Sequence, residues 1–223
     1  MKLTIIIFSL FGLIACDNHS DKTIVDDNAI IVHNDSIKKD SIALKEENRQ
    51  IESNHQNCNF DYFLSDKNTP KLAKDIYRDN DWNLNKADEL LSLLDSLSAT
   101  NVNSRPFYCK VITKSFKKSD GYLSEGLGIA GVKYVENNTK EFISNFENKS
   151  CFDDNDMITW ANILILEFSI GSDGGSDKTF IDDYVKKLNL NCKDCSPIQK
   201  ENVRKFGLTL KDEWKIYLKT KDN

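Results

Sequence analysis

The spacing of apolar residues from residue 58 onward is the feature that most constrains how this chain folds. Apolar side chains recur every three or four positions, as on one face of an α-helix, and the alternation of a half-buried strand is absent. The stripe is clearest over residues 83–100, where it contains Ala87, Leu90, Leu91, Leu94 and Leu97. Only three prolines occur, and two of them, Pro70 and Pro106, fall at predicted helix starts. The pattern predicts one all-α domain over residues 58–223, an array of about seven or eight helices that could stack in pairs as a short solenoid.

The segment 154–170 is the most apolar part of this array. Apolar residues cover several of its faces, and they are Met157, Ile158, Trp160, Ala161, Ile163, Leu164, Ile165, Leu166 and Phe168. A helix that is apolar nearly all round is buried, and one of about 16 residues is shorter than the roughly 20 that a bilayer span needs. The sequence therefore predicts that this helix forms the centre of the core.

The first sixteen residues differ in character from the rest. Lys2 precedes an apolar run over residues 3–13, which has the length of a signal-peptide core rather than of a membrane span. The run ends in Leu13-Ile14-Ala15-Cys16, which resembles the lipobox of bacterial lipoproteins at all four positions. The resemblance implies that residues 1–15 are a cleaved signal peptide and that lipid is attached to the Cys16 thiol, with acylation of the new N-terminus. It also implies a lipid-anchored membrane protein of a bacterial cell envelope, facing the periplasm or the cell surface.

Residues 16–57 are predicted to form a flexible polar tether after the lipidated cysteine. They contain nine acidic and five basic residues and no aromatic residue, and such a composition favours disorder. All three histidines of the protein, His19, His33 and His55, lie in this segment. We interpret them as solvated linker residues rather than as metal ligands.

The charge of the predicted domain bears on its partners. Residues 58–223 carry 26 acidic and 24 basic side chains, well mixed along the sequence. Nucleic-acid binding needs a basic face, and the sequence indicates none. We therefore expect two partners, the membrane through the lipid on Cys16 and a protein of unspecified identity, and no nucleic acid.

Gly126, Gly128 and Gly131 match the GxGxxG pattern of dinucleotide-binding turns. That turn follows a buried strand, whereas a polar, turn-like stretch precedes these glycines over residues 117–125. We therefore interpret the glycines as positions where one helix approaches another closely, and we expect no cofactor.

Two groups of acidic residues could be compared with metal sites. Asp153, Asp154 and Asp156 stand at the start of the most apolar helix, where carboxylates cap N–H groups and offset the helix dipole. They lack the glycine and the distant bidentate glutamate of a calcium loop. Asp173 and Asp177 flank a pair of glycines and are better explained as turn and cap residues. No metal site is predicted.

Five further cysteines are candidates for disulfides, namely Cys58, Cys109, Cys151, Cys192 and Cys195. Export would place them in an oxidising compartment, and five allow at most two bridges and one free thiol. If successive helices run antiparallel, Cys151 and Cys192 lie at one end of the array, and Cys58 and Cys109 could share the other end. Cys192 and Cys195 also form a CxxC motif, but without the β-α-β context of thioredoxin-like enzymes. Structural disulfides are therefore preferred to a redox or zinc site.

No catalytic set is evident in residues 58–223. This part of the chain has no histidine, so a Ser-His or Cys-His nucleophile would need the tether to fold back onto the domain. We expect a lipid-anchored envelope protein whose non-catalytic helical domain binds a protein or a small ligand. Three alternatives stay open: an immunity-type lipoprotein that neutralises a secreted toxin, an envelope thiol redox protein that uses the CxxC, and a structural envelope component.

Overall fold

The computed structural model describes residues 59–171 and 179–221, and within these ranges it contains nine α-helices and no strand. In chain order they are α1 (Asp61–Ser65), α2 (Lys71–Tyr77), α3 (Ala87–Leu94), α4 (Arg105–Ser115), α5 (Gly121–Asn137), α6 (Thr139–Ser144), α7 (Asp154–Gly171), α8 (Phe180–Asn191) and α9 (Pro197–Lys221). The prediction of an all-α domain is confirmed. The signal peptide, the tether, Cys16, Cys58, Asp173 and Asp177 all lie outside the described residues.

The number of helices exceeds the expected seven or eight because α1 is a separate helix. It has five residues, which is too short for an apolar period to show in the sequence. Short 3₁₀ turns also extend several helices, and the turn Asn145–Glu147 follows α6 directly. This turn carries two of the side chains that form the candidate site described below.

Helix α7 is the centre of the core, as its sequence predicts. Trp160, Ile163 and Leu164 have no exposed surface, and the helix packs chiefly against α5 and α9. Trp160 Nε1 donates a hydrogen bond of 2.8 Å to Oγ1 of Thr113 on α4, which ties α4 to the same core. Helix α2 likewise packs on α4, and α3 on α5. None of the described helices combines the length and the apolar composition that crossing a membrane requires.

The glycines of the GxGxxG pattern lie inside the continuous helix α5, where they let α7 approach closely. A Cβ atom on Gly128 would lie 3.1 Å from the backbone nitrogen of Glu167, and one on Gly131 would lie 2.7 Å from Cγ2 of Ile163. A Cβ on Gly126 would overlap the Leu91 side chain of α3. The interpretation of these glycines as close helix contacts is confirmed.

Two groups of aromatic rings hold the helices around the candidate site. One group joins α1, α2 and α4, and its rings are Phe60, Phe63, Tyr77, Phe107 and Tyr108. The other joins α5, α6, α7 and α9, and its rings are Tyr134, Phe142, Phe146, Phe152, Trp160 and Phe206. Phe60 and Phe152, one from each group, both line the cleft that forms beside α6.

Candidate functional site

The cleft beside α6 is a depression between the start of α4 and the segment that follows α6. Its cavity volume is about 470 Å³, and its lining is mainly apolar surface with several polar side chains. We call it the α6 cleft, and its lining residues are Phe60, Pro106, Glu141, Ser144, Asn145, Glu147, Asn148, Cys151 and Phe152.

A second and more polar depression lies on the other side of α6. We call it the α6 groove. Its volume is about 700 Å³, and its lining residues are Glu136, Asn137, Asn138, Thr139, Lys140, Glu141, Ser144 and Asn191. Glu141 and Ser144 line both depressions, so we refer to the two together as the α6 surface.

The carboxylate of Glu141 is fixed between two partners. Arg105 Nη1 donates to Oε2 at 2.8 Å, and the Tyr134 hydroxyl donates to Oε1 at 3.0 Å. Arg105 also holds the carbonyl oxygen of Ala99 through Nε and Nη2, and Oδ1 of Asn138 through Nη1 at 3.0 Å. Burial raises the pKa of Tyr134 well above its usual value, so this hydroxyl stays protonated and donates. Both oxygens of Glu141 are therefore committed to the fold.

Gln199 fixes the other carboxylate of the cleft. Its side-chain Nε2 donates to Glu147 Oε1 at 2.8 Å and to Ser144 Oγ at 2.9 Å. Gln199 Oε1 accepts from the backbone N–H of Ser196, whose own Oγ accepts from the N–H of Gln199. This reciprocal pair is a capping box at the start of α9. It gives the buried amide of Gln199 a fixed position, and the amide in turn fixes Glu147.

Cys109 is the one described cysteine without a disulfide, and it lies beneath the α6 cleft. Its side chain is fully buried, and Nδ2 of Asn145 lies 3.6 Å from its sulfur in donor geometry. Burial raises the pKa of this thiol well above its usual value. A protonated thiol with no exposed surface is a poor nucleophile, so the arrangement is structural.

The cysteine pairings expected from antiparallel helices are wrong. Cys192 is joined to Cys195, with their Cα atoms 4.9 Å apart, and not to Cys151. The chain turns sharply between α8 and α9, which brings these two near neighbours together. Cys109 forms no disulfide, and it sits inside α4 with its side chain in the core.

The remaining cysteines can be placed only in part. Cys151 is disulfide-bonded as well. Its partner lies outside the described residues, and so does Cys58. The bonded sulfurs of the CxxC belong to residues that are only 2% (Cys192) and 7% (Cys195) exposed. Thiol–disulfide exchange needs access to a sulfur atom, so this geometry suits a structural link between α8 and α9.

The acidic residues at the start of α7 serve as caps. Asp153 Oδ1 accepts from the backbone N–H groups of Asn155 and Asp156, and Asp156 Oδ2 accepts from the N–H of Asp153. Asp156 also pairs with Lys110 on α4, at 2.6 Å between Nζ and Oδ2. The capping interpretation is confirmed for Asp153 and Asp156, whereas the Asp154 carboxylate contacts the Lys149 side chain. In residues 59–171 and 179–221, no group of three or more His, Cys, Asp or Glu side chains is placed to hold a metal ion.

Comparison with protein-family models, curated proteins and solved structures found no match for this chain.

Sequence reasoning did not single out the residues that form the α6 surface. Arg105 and Glu141 are 36 positions apart, and their pairing depends on how α4 and α6 pack. One local signal was available, because Ser196 and Gln199 have the spacing of a capping box. That signal predicts the start of α9 but not the contact of Gln199 with Glu147.

Proposed function

We propose that this chain is a lipid-anchored protein of a bacterial cell envelope whose helical domain binds a protein partner on the α6 surface. The observation that carries the proposal is the α6 cleft, an open depression whose polar groups are held in place by their own hydrogen bonds. The residues Leu13 to Cys16, with their resemblance to a lipobox, support the anchoring. Neither part of the proposal assigns a catalytic activity to the chain.

The polar side chains of the cleft favour binding because they are already held in position, so a ligand need not reduce their conformational entropy further. Glu141 is held by Arg105 and Tyr134, and Glu147 is held by Gln199. A ligand that meets side chains already in position avoids the entropy cost of immobilising them, which is about 0.5–1.5 kcal/mol for each long side chain. The mixed lining also matches the composition of protein interfaces, which place polar groups around an apolar centre.

The predicted tether would let an anchored domain meet a partner away from the membrane. The segment 16–57 has 42 residues. A flexible chain of that length has a mean end-to-end distance of roughly 35 Å. The α6 surface would then reach partners in the same envelope layer without release from the lipid.

Metabolic labelling tests the anchoring. Cells of a bacterium with a lipoprotein pathway, grown with an alkyne-bearing fatty acid, should incorporate the label into the full chain. We expect Cys16→Ser to lose the label and to shift the protein out of the membrane fraction, whereas Cys109→Ser should keep both. Equal labelling of the Cys16→Ser variant would refute the lipid attachment.

Site-specific photo-crosslinking in the native envelope tests the binding surface. A benzophenone amino acid at Lys140, which is exposed and lines the α6 groove, should give a discrete adduct with one partner protein. The same probe at Lys215 is a matched control, because this exposed position lies 16 residues beyond Gln199 along α9, or about 24 Å away. Identical adducts from the two positions, or none from Lys140, would contradict the proposed surface.

A further inference from the structure

We infer that the α6 cleft binds the guanidinium group of an arginine side chain that the protein partner presents. The inference rests on the proposed function, since it names the group that would occupy the proposed surface. It depends on the charge of the cleft, on the hydrogen-bonding capacity left unused there, and on the apolar walls.

The charge of the cleft is not balanced within the described structure. Two carboxylates line it, and no lysine or arginine does. Arg105 compensates Glu141 at 2.8 Å. Glu147 accepts only from the neutral amide of Gln199, and it forms no ion pair with a cation in residues 59–171 or 179–221. The cleft therefore offers one exposed negative charge that is already held in position.

Two acceptor atoms of the cleft receive no hydrogen bond within the described structure. Glu147 Oε1 is occupied by Gln199, which leaves Oε2 for a ligand. Asn145 directs its amide nitrogen at the Cys109 sulfur, so its Oδ1 remains an acceptor. Ser144 Oγ donates its only hydrogen to the Lys140 carbonyl and accepts from Gln199, so this hydroxyl has no donor left for a ligand. A complementary ligand must bring several donors and a positive charge.

Arginine fits this requirement better than other side chains. Its guanidinium carries five N–H donors and no acceptor, and it is less strongly hydrated than a lysine ammonium group. Its methylene stem can lie along apolar surface while the charged head meets acceptors. Phe60, Pro106 and Phe152 provide such a surface on the walls of the cleft.

A pair of isosteric peptides tests the inference. The full chain, extracted in a mild detergent, is titrated with blocked Gly-Arg-Gly and with blocked Gly-citrulline-Gly, whose side chain has the same shape but no charge. Amide chemical shifts at Asn145 and Glu147 report binding. We expect the arginine peptide to bind roughly fivefold more tightly, as for a partly exposed ion pair, and the difference to shrink as salt is raised.

Two variants assign the effect to Glu147. Glu147→Gln keeps an acceptor for Gln199 but removes the charge, so the preference for arginine over citrulline should disappear while the fold is retained. Glu201→Gln removes an exposed carboxylate on α9 that pairs with Arg204, and the preference should persist. A wild-type chain that binds both peptides equally, or a preference that survives in Glu147→Gln, would overturn the inference.

Two further comparisons complete the test. One distinguishes a peptide from a free amino acid as the source of the guanidinium, and the other distinguishes failure of this inference from failure of the proposed function. Free L-arginine carries the same guanidinium, its α-ammonium and α-carboxylate charges cancel, and it lacks the flanking peptide groups. It should therefore bind no more tightly than the blocked peptide, and tighter binding would contradict a protein source. If crosslinking from Lys140 captures a partner but the peptides show no preference, the inference fails and the proposed function stands. If crosslinking from Lys140 gives no specific adduct, the proposed function itself fails.

Discussion

Asp79 follows α2 in a left-handed conformation, with a φ of 55°, and it is held there by two lysines of α4. Lys114 Nζ lies 2.5 Å from Oδ2, and Lys117 Nζ lies 2.8 Å from Oδ1. These hydrogen bonds and charges lower the pKa of Asp79 to about 2. The two lysines therefore fasten the loop after α2 to the end of α4.

The lowered pKa of Asp79 predicts an acid-dependent contribution to stability. A carboxyl group whose folded pKa lies below its unfolded value stabilises the fold above the unfolded pKa, near 3.8, and loses this contribution as the pH falls through about 2. Asp79→Asn tolerates the left-handed backbone and should cost roughly 0.5–1 kcal/mol at pH 7, allowing for the half exposure of the side chain. Urea unfolding of both proteins at pH 6 and pH 2 measures this, and a difference that does not shrink at pH 2 would contradict it.

The second prediction at the scale of single residues concerns Arg105. Its guanidinium donates hydrogen bonds to three separate groups. It holds Ala99, Asn138 and Glu141, and its side chain is only 12% exposed. Arg105→Lys keeps the charge but cannot reach all three acceptors with one ammonium group. We expect a loss of about 2 kcal/mol in the free energy of unfolding. Arg204→Lys, on a side chain that is 60% exposed, should change it by less than about 0.5 kcal/mol.

The site could be predicted from the sequence only where its contacts are local. Asp153 with Asp156 and Ser196 with Gln199 have cap spacings that can be read directly from the chain. The contacts of Arg105 with Glu141 and of Gln199 with Glu147 span 36 and 52 positions. Such contacts depend on the packing of whole helices, and nothing in a single sequence indicates which acidic residue each will meet.

At the scale of the helices, the apolar period was a reliable guide to position. The helix expected over 154–170 is observed at Asp154–Gly171, and the apolar stripe over 83–100 is observed as α3 with a 3₁₀ turn on each side, over residues 84–97. Both segments contain long stripes of apolar residues that must be buried, so the helix that packing requires is also the one that the sequence period predicts. The Cys192–Cys195 link was missed because it depends on how tightly the chain turns between α8 and α9. Helix α1 was missed because five residues show no period.

The contact of Gly128 on α5 with the backbone of α7 gives a prediction at this scale. Gly128→Ala places a methyl group 3.1 Å from the backbone nitrogen of Glu167, which cannot move without shifting α7. The cost of overpacking should exceed the gain of about 1 kcal/mol in helix propensity, for a net loss of about 1–2 kcal/mol.

Gly121→Ala is the matched control for this contact. Gly121 lies in the first turn of the same helix, and nothing lies within 4 Å of a Cβ added there. We expect this variant to be as stable as the parent or up to about 1 kcal/mol more stable. Thermal unfolding compares the two substitutions, and a stabilising Gly128→Ala would show that α7 can move away from α5.

For the whole molecule, the oxidation state of the cysteines links the domain to the compartment proposed for it. Cys192 is bonded to Cys195, Cys151 is bonded outside the described residues, and Cys109 is free and buried. If the Cys16 thiol carries lipid, Cys58 is the cysteine that remains for Cys151. We therefore expect two bridges and one thiol in the mature, lipidated chain.

Alkylation followed by intact-mass measurement tests this count. The folded protein should take up no alkyl group, because burial shields the Cys109 thiol and raises its pKa. Unfolding without a reductant should expose one thiol, and the Cys109→Ser variant should expose none. Peptide mapping should then find Cys58 joined to Cys151. Three alkyl groups after unfolding would mean that the chain matures without one of its bridges, which would argue against export to an oxidising compartment.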